Sequence, residues 1–92
     1  MTNHVTHNPA ENRYEIHVDG VLAGFAQAFE DGDVVTFPHT VVFDEFEGQG
    51  LASQLVTGAL DDIRERGKLI IVTCPYVTRF IDKNPDYKDL LA

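Results

Sequence analysis

The spacing of apolar positions changes twice along the chain and divides it into three parts. Residues 1–11 are mostly polar, contain Pro9 and show little pattern. They are expected to form a flexible lead-in, ordered only near its end. From residue 13 the period is two. Tyr14, Ile16 and Val18 share one face of a strand, and Asp19-Gly20 marks a hairpin turn. A second strand follows over residues 21–30, Asp31-Gly32 marks another turn, and a third strand covers 34–43. Pro38 interrupts this third strand. Proline has no N–H to give to a ladder, so Pro38 predicts a bulge, an edge or a split into two strands. Together these elements predict an antiparallel meander.

Near residue 49 the period becomes helical. Leu51, Leu55, Val56, Ala59, Leu60 and Ile63 fall on one stripe of a helix over residues 49–66, while Asp61, Asp62, Arg64, Glu65 and Arg66 lie mostly on its wet side. Gly67 suits the C-terminal cap. Residues 69–74 are almost continuously apolar, which predicts a strand buried on both faces, as parallel strands are. Residues 34–74 then read as one right-handed strand–helix–strand crossover. Pro75 suits the first position of a second helix, which ends near Lys83, before Asn84-Pro85, and residues 86–91 read as one more short turn. The expected fold class is α/β. A mixed sheet, antiparallel in its first half, packs against one long and one short helix, with residues 12–92 as the folded domain.

Composition narrows the function. Ninety-two residues make one small domain. The net charge of −8 opposes binding to nucleic acid or to an anionic membrane, and it would help draw in a basic acceptor such as an amine. An acidic surface also simply keeps a protein soluble. The chain has no apolar run near the roughly 18 residues that span a bilayer, and residues 1–4 do not read as a signal peptide. A single cysteine, Cys74, allows no internal disulfide and suits a reducing cytoplasm. His4 and His7 stand on the lead-in without a third ligand, so no metal site is expected.

The candidate chemistry lies where the third strand runs into the long helix. Val41-Val42-Phe43 is followed by Glu47-Gly48-Gln49-Gly50-Leu51-Ala52. Glycine lets backbone N–H groups approach an anion without a Cβ in the way, and the first turn of a helix leaves its N–H groups unpaired. A strand, a glycine turn and a helix start therefore suit a phosphate-bearing ligand. The same glycines also serve a plain tight connection.

Order and motif together resemble the GNAT acetyltransferases. The family's pyrophosphate motif, Gln/Arg-x-x-Gly-x-Gly/Ala, is matched at Gly50 and Ala52, with Glu47 where Gln or Arg is usual. The chain is similar to the minimal, YjdJ-type branch of that family. In that branch a run like Phe37-Pro38-His39-Thr40 precedes the glycine turn, and a pair like Cys74-Pro75 ends the later strand. The resemblance spans roughly residues 12–88.

The resemblance implies an acetyl-CoA-binding N-acetyltransferase acting on an amine of a small molecule or protein. Amides from Gln49 through Leu51 and Ala52 to Ser53, with Glu47, Gly48 and Gly50 shaping the turn, would hold the pyrophosphate. The strand edge at Thr40, Val41 and Val42 would pair with the pantetheine arm, and Asn84 would either bond that arm or cap its helix. Cys74, where a helix start favours an anion, would relay the acetyl group, protonate the leaving thiolate, or only line the site. His39 would act as base if a bulge at Pro38 turned it toward the acetyl group; with unbroken parity it shares a face with Val35, Phe37, Val41 and Phe43.

Some residues depart from the family pattern. Asp44, Glu45 and Glu47 put negative charge near an anionic ligand. Ile81 stands where larger members carry a proton-donating tyrosine, leaving Cys74, Tyr76 or Tyr87 to substitute. The chain is too short for the two N-terminal helices that wall the acceptor site in larger members, so a homodimer or partner subunit would complete it. The alternative is a coenzyme A-binding or protein-interaction domain that does not catalyse transfer.

Overall fold

The computed structural model describes residues 2–92, and among these the chain forms seven strands and two α-helices. The first strand is an addition to the sequence reading. Residues Asn3–Asn8 form β1, paired antiparallel with β2 (Arg13–Val18), so that Val5 faces Ile16 and His7 faces Tyr14. The lead-in is therefore part of the sheet. Its sequence hides this because Val5 is its only aliphatic residue besides five polar ones. The strand is held by its ladder and by docking rather than by its own apolar content. Val5 rests on the long helix at Gly58, where an added Cβ would lie 2.8 Å from the valine Cβ and Cγ1.

Asp19 and Gly20 both adopt positive φ, as a two-residue hairpin of the tightest type demands. The expected second strand is broken into β3 (Val21–Gln27) and β4 (Phe29–Asp31), and the third into β5 (Val34–Phe37) and β6 (Thr40–Val42). Two sheets result. One has the order β1-β2-β3-β6 and is antiparallel throughout. The other has the order β4-β5-β7, where β7 (Leu69–Val72) runs parallel to β5. The Gln27 N–H donates to the His39 carbonyl at 2.9 Å and extends the β3–β6 ladder to the break.

Helix α1 (Leu51–Glu65) carries the chain from β6 back to β7 and buries all six residues of its apolar stripe. Gly67 ends it with φ +69°. The C-terminal end of α1 is tied to the sheet through Tyr14. Its hydroxyl donates to Asp62 at 2.6 Å and accepts from Arg66 at 2.8 Å, while Arg66 also pairs with Glu30. Burial first, then the bond to Asp62, pushes the Tyr14 phenol well above its ordinary pKa.

β7 corrects one expectation. Ile70 is buried, but Leu69 is 40% and Ile71 46% exposed. β7 is an edge strand, and its second face carries no cover, so its apolar run does not mark burial on both sides. Across the register the same open face holds Val34, Thr36 and Phe29, the last 45% exposed.

Candidate functional site

The break at Pro38-His39 builds the site. On the near side of it Phe37 stacks on Tyr14, whose hydroxyl reaches α1, so Phe37 faces the helices. On the far side Thr40 lies across from Ala26 and Tyr14, and therefore also faces the helices. Phe37 and Thr40 are three apart, an odd number, so Pro38 and His39 form a bulge that resets the alternation. Val41 then points to the opposite face from Phe37 and Val35, although even spacing would have put all three together. It is 38% exposed, while Val35 and Phe37 are buried. His39, paired through its backbone with Gln27, is exposed.

The bulge also parts the strands. At the end of the β5–β7 ladder the Phe37 carbonyl accepts N–H groups from both Thr73 (3.3 Å) and Cys74 (3.1 Å). Beyond that point β6 follows β3 and no longer meets the β7 side. His39 and Phe43 both bond to β3, so the alternation of an antiparallel ladder gives Val41 to β3 as well. The backbone N–H and C=O groups of Thr40 and Val42 are left pointing into the gap. Of the three residues expected to pair with an extended ligand, Thr40 and Val42 have the outward edge and Val41 does not.

The gap leads to the start of α1. Gly48 and Gly50 take φ +79° and +71°, the left-handed region that glycine enters at least cost. Gly50 is the N-cap and offers no side chain to cap the helix. The first intrahelical bond runs from the Gln54 N–H to the Gly50 carbonyl at 3.3 Å, so the amides of Leu51, Ala52 and Ser53 precede the ladder. Glu47 spends its N–H on the Asp44 carbonyl, inside a single 3-10 turn (Asp44–Phe46). The side chains of Asp44, Glu45, Glu47 and Gln49 are exposed.

Helix α2 (Pro75–Lys83) forms the opposite wall. A recess of about 360 Å³ lies between it and the start of α1, lined by Ser53, Tyr76, Arg79, Phe80, Lys83 and Asn84. Arg79 and Lys83 bring two positive charges to this recess. The sequence held their signal: residues 76, 79, 80, 83 and 84 recur at helical spacing on one stripe of α2. Asn84 lines this recess and also donates to the Phe80 carbonyl at 2.9 Å, closing the C-terminus of α2.

Cys74 sits at the apex, 5% exposed, as N-cap of α2. Its thiol donates to the Thr40 hydroxyl across the gap at 3.7 Å. Among the described residues His39 makes no side-chain hydrogen bond, and the alternation at Thr40 sets it on the other side of β6 from that thiol. The three proton donors considered in place of Ile81 are now separated. Ile81 is buried in the core. Tyr87 donates to Asp61 at 2.7 Å, well along α1 from its open start. Tyr76 lines the recess, and burial raises its phenol above the ordinary tyrosine pKa.

A sheet that parts beside an open helix start, with a second helix closing the gap, defines a coenzyme A-type acyltransferase fold. A family model described as GCN5-related N-acetyl-transferase matches residues 13–90, and the chain belongs to that family. Protein NATD1 of Bos taurus is 29% identical over 83 residues, covering 88% of this chain and 74% of that protein. A GCN5-like protein from Staphylococcus aureus, solved in solution by NMR, superposes with a TM-score of 0.70 at 24% identity, covering 97% of this chain and 87% of the other. The PaiA N-acetyltransferase of Thermoplasma acidophilum, solved in complex with coenzyme A, gives a TM-score of 0.61 at 16% identity over 78% of this chain and 48% of that one. The structural likenesses establish the fold. No helix among the described residues is long and apolar enough to cross a membrane.

Proposed function

We propose that this chain is an acetyl-CoA-dependent N-acetyltransferase whose acceptor is an amine. The observation that carries the reading is the uncapped start of α1 beside the unpaired edge of β6, with Cys74 where the strands part. Three features suit coenzyme A. Amides without a cap and glycines without a Cβ suit its pyrophosphate, Arg79 and Lys83 suit its phosphate charge, and a free strand edge suits the amide-bearing pantetheine arm. Acetyl-CoA supplies an activated acyl group as a thioester.

The chain's residues then have distinct tasks. Thr40 and Val42 orient the arm through their backbone groups. His39, exposed on the face away from the helices, takes the proton from an amine arriving on that face. Tyr76 returns a proton to the departing thiolate. Cys74 lines the closed end of the groove, a reading supported by the separation of its thiol from His39 across β6. A covalent relay would need a base beside the thiol, and the thiol's hydrogen-bond partner is the Thr40 hydroxyl.

Incubating the protein with acetyl-CoA and a panel of amines tests this reading through the thiol released and the mass of the product. Acetylated amine formed in step with free thiol supports it. Coenzyme A binding with no transfer to any amine favours the non-catalytic binding domain, for which the buried Ile81 and the uncovered sheet face are the supporting observations.

A further inference from the structure

We infer that the contact between Cys74 and Thr40 is the floor of the acyl compartment and limits the donor to an acetyl group; the inference rests on the coenzyme A reading above. A ligand anchored at the start of α1 and extended along the free edge of β6 passes Val42, then Thr40, and there meets the thiol. Both sides of this floor are held. Cys74 is pinned by its N–H bond to the Phe37 carbonyl at 3.1 Å, and as N-cap its carbonyl accepts the Thr78 N–H at 3.1 Å. Thr40 is fixed opposite Ala26 in the β3–β6 ladder. Phe37, Val77 and Ile81 are buried in the same core cluster as Cys74.

The sulfur-to-oxygen distance of 3.7 Å is contact distance, so no group passes between the two side chains. A longer acyl chain must displace one of them, and neither backbone is free to yield. A pocket closed in this way discriminates by roughly 10- to 200-fold per methylene. Truncating the cysteine opens the floor by one heavy atom without touching the edge of β6 or the helix start. The floor therefore sets which acyl group is accepted, whereas the rest of the groove sets whether coenzyme A binds.

The test compares acetyl-, propionyl- and butyryl-CoA binding by calorimetry to the wild-type protein, Cys74→Ala, Thr40→Ser and Thr40→Val. The wild type is expected to bind butyryl-CoA at least ~10-fold more weakly than acetyl-CoA. In Cys74→Ala, and to a lesser degree in Thr40→Ser, the propionyl-to-acetyl ratio falls below about 3-fold, from ~10-fold in the wild type. Thr40→Val, which keeps the volume and loses the hydroxyl, retains the wild-type ratio. Equal wild-type affinity for the three thioesters overturns the inference and leaves the coenzyme A reading intact. An undiminished ratio in both folded truncation variants does the same. Failure of the wild type to bind acetyl-CoA at all overturns both. Thr40→Ser keeps the test decisive if Cys74→Ala does not fold.

Discussion

Replacing Gly58 with alanine sets two opposed effects against each other, and the structure decides the winner. Gly58 lies inside α1, where alanine is favoured over glycine by roughly 0.5–1 kcal/mol. The new Cβ, however, would stand 2.8 Å from Cβ and Cγ1 and 3.0 Å from Cγ2 of Val5. All three atoms belong to a side chain branched at Cβ, so no rotamer moves it aside and β1 must shift. Overpacking of this kind costs about 1–3 kcal/mol. The net expectation is destabilisation by about 1 kcal/mol, read in thermal unfolding as a fall of roughly 4–8 °C. In a Val5→Gly background the clash is gone, and the same Gly58→Ala change should stabilise by ~0.5–1 kcal/mol. The two single changes and the double change form a cycle with a coupling above about 1 kcal/mol. If Gly58→Ala stabilises the wild type as it would any solvent-facing helix, β1 does not dock on α1 and the account of the N-terminal strand is wrong.

Other consequences are equally measurable. Reversing Arg79 and Lys83 together to glutamate should weaken coenzyme A binding about 10- to 100-fold, from roughly 1 kcal/mol per exposed charge, and the loss should shrink at high salt in calorimetry. His39→Ala should lower turnover by ~10²–10⁴-fold with acetyl-CoA affinity unchanged; equal turnover would remove His39 from the chemistry. Burial lifts the phenols of Tyr14, Tyr76 and Tyr87, the last to about 12 with added help from Asp61. A folded-state pKa raised above the unfolded value gives stability that is complete below about pH 10 and is lost as pH climbs through the folded values. Tyrosinate absorbance should therefore appear at higher pH in the folded than in the denatured protein, and denaturant midpoints should fall from about pH 10 upward.

The helical part of the fold was readable because its signal is local. The stripe from Leu51 to Ile63 is the set that α1 buries, and Gly67 adopts the positive φ that its position implies. Three features were hidden, each because it depends on distant partners. β1 is polar, and its order comes from Tyr14, Ile16 and Gly58 rather than from its own residues. β7 is apolar yet half uncovered, because a run of Leu, Ile and Val does not show on which side of the sheet the helices fall. Pro38 marked a break, but the conformation of the break decides whether parity survives it, and here Phe37 and Thr40, three apart, face the same side. In the site, the glycine turn and Cys74 stood out by residue type. Arg79 and Lys83 did not, because their place in the groove follows from how α2 folds back against the start of α1.

Titrating isotope-labelled protein with acetyl-CoA and following the backbone amides tests the central claim most directly. The account predicts saturable shifts concentrated at residues 49–53, at Thr40, Val42 and Cys74, and on α2 at Arg79 and Lys83, with small changes across β1 and on the exposed face of β7. Shifts absent at millimolar acetyl-CoA, or confined to surfaces away from the parted strands, would contradict it.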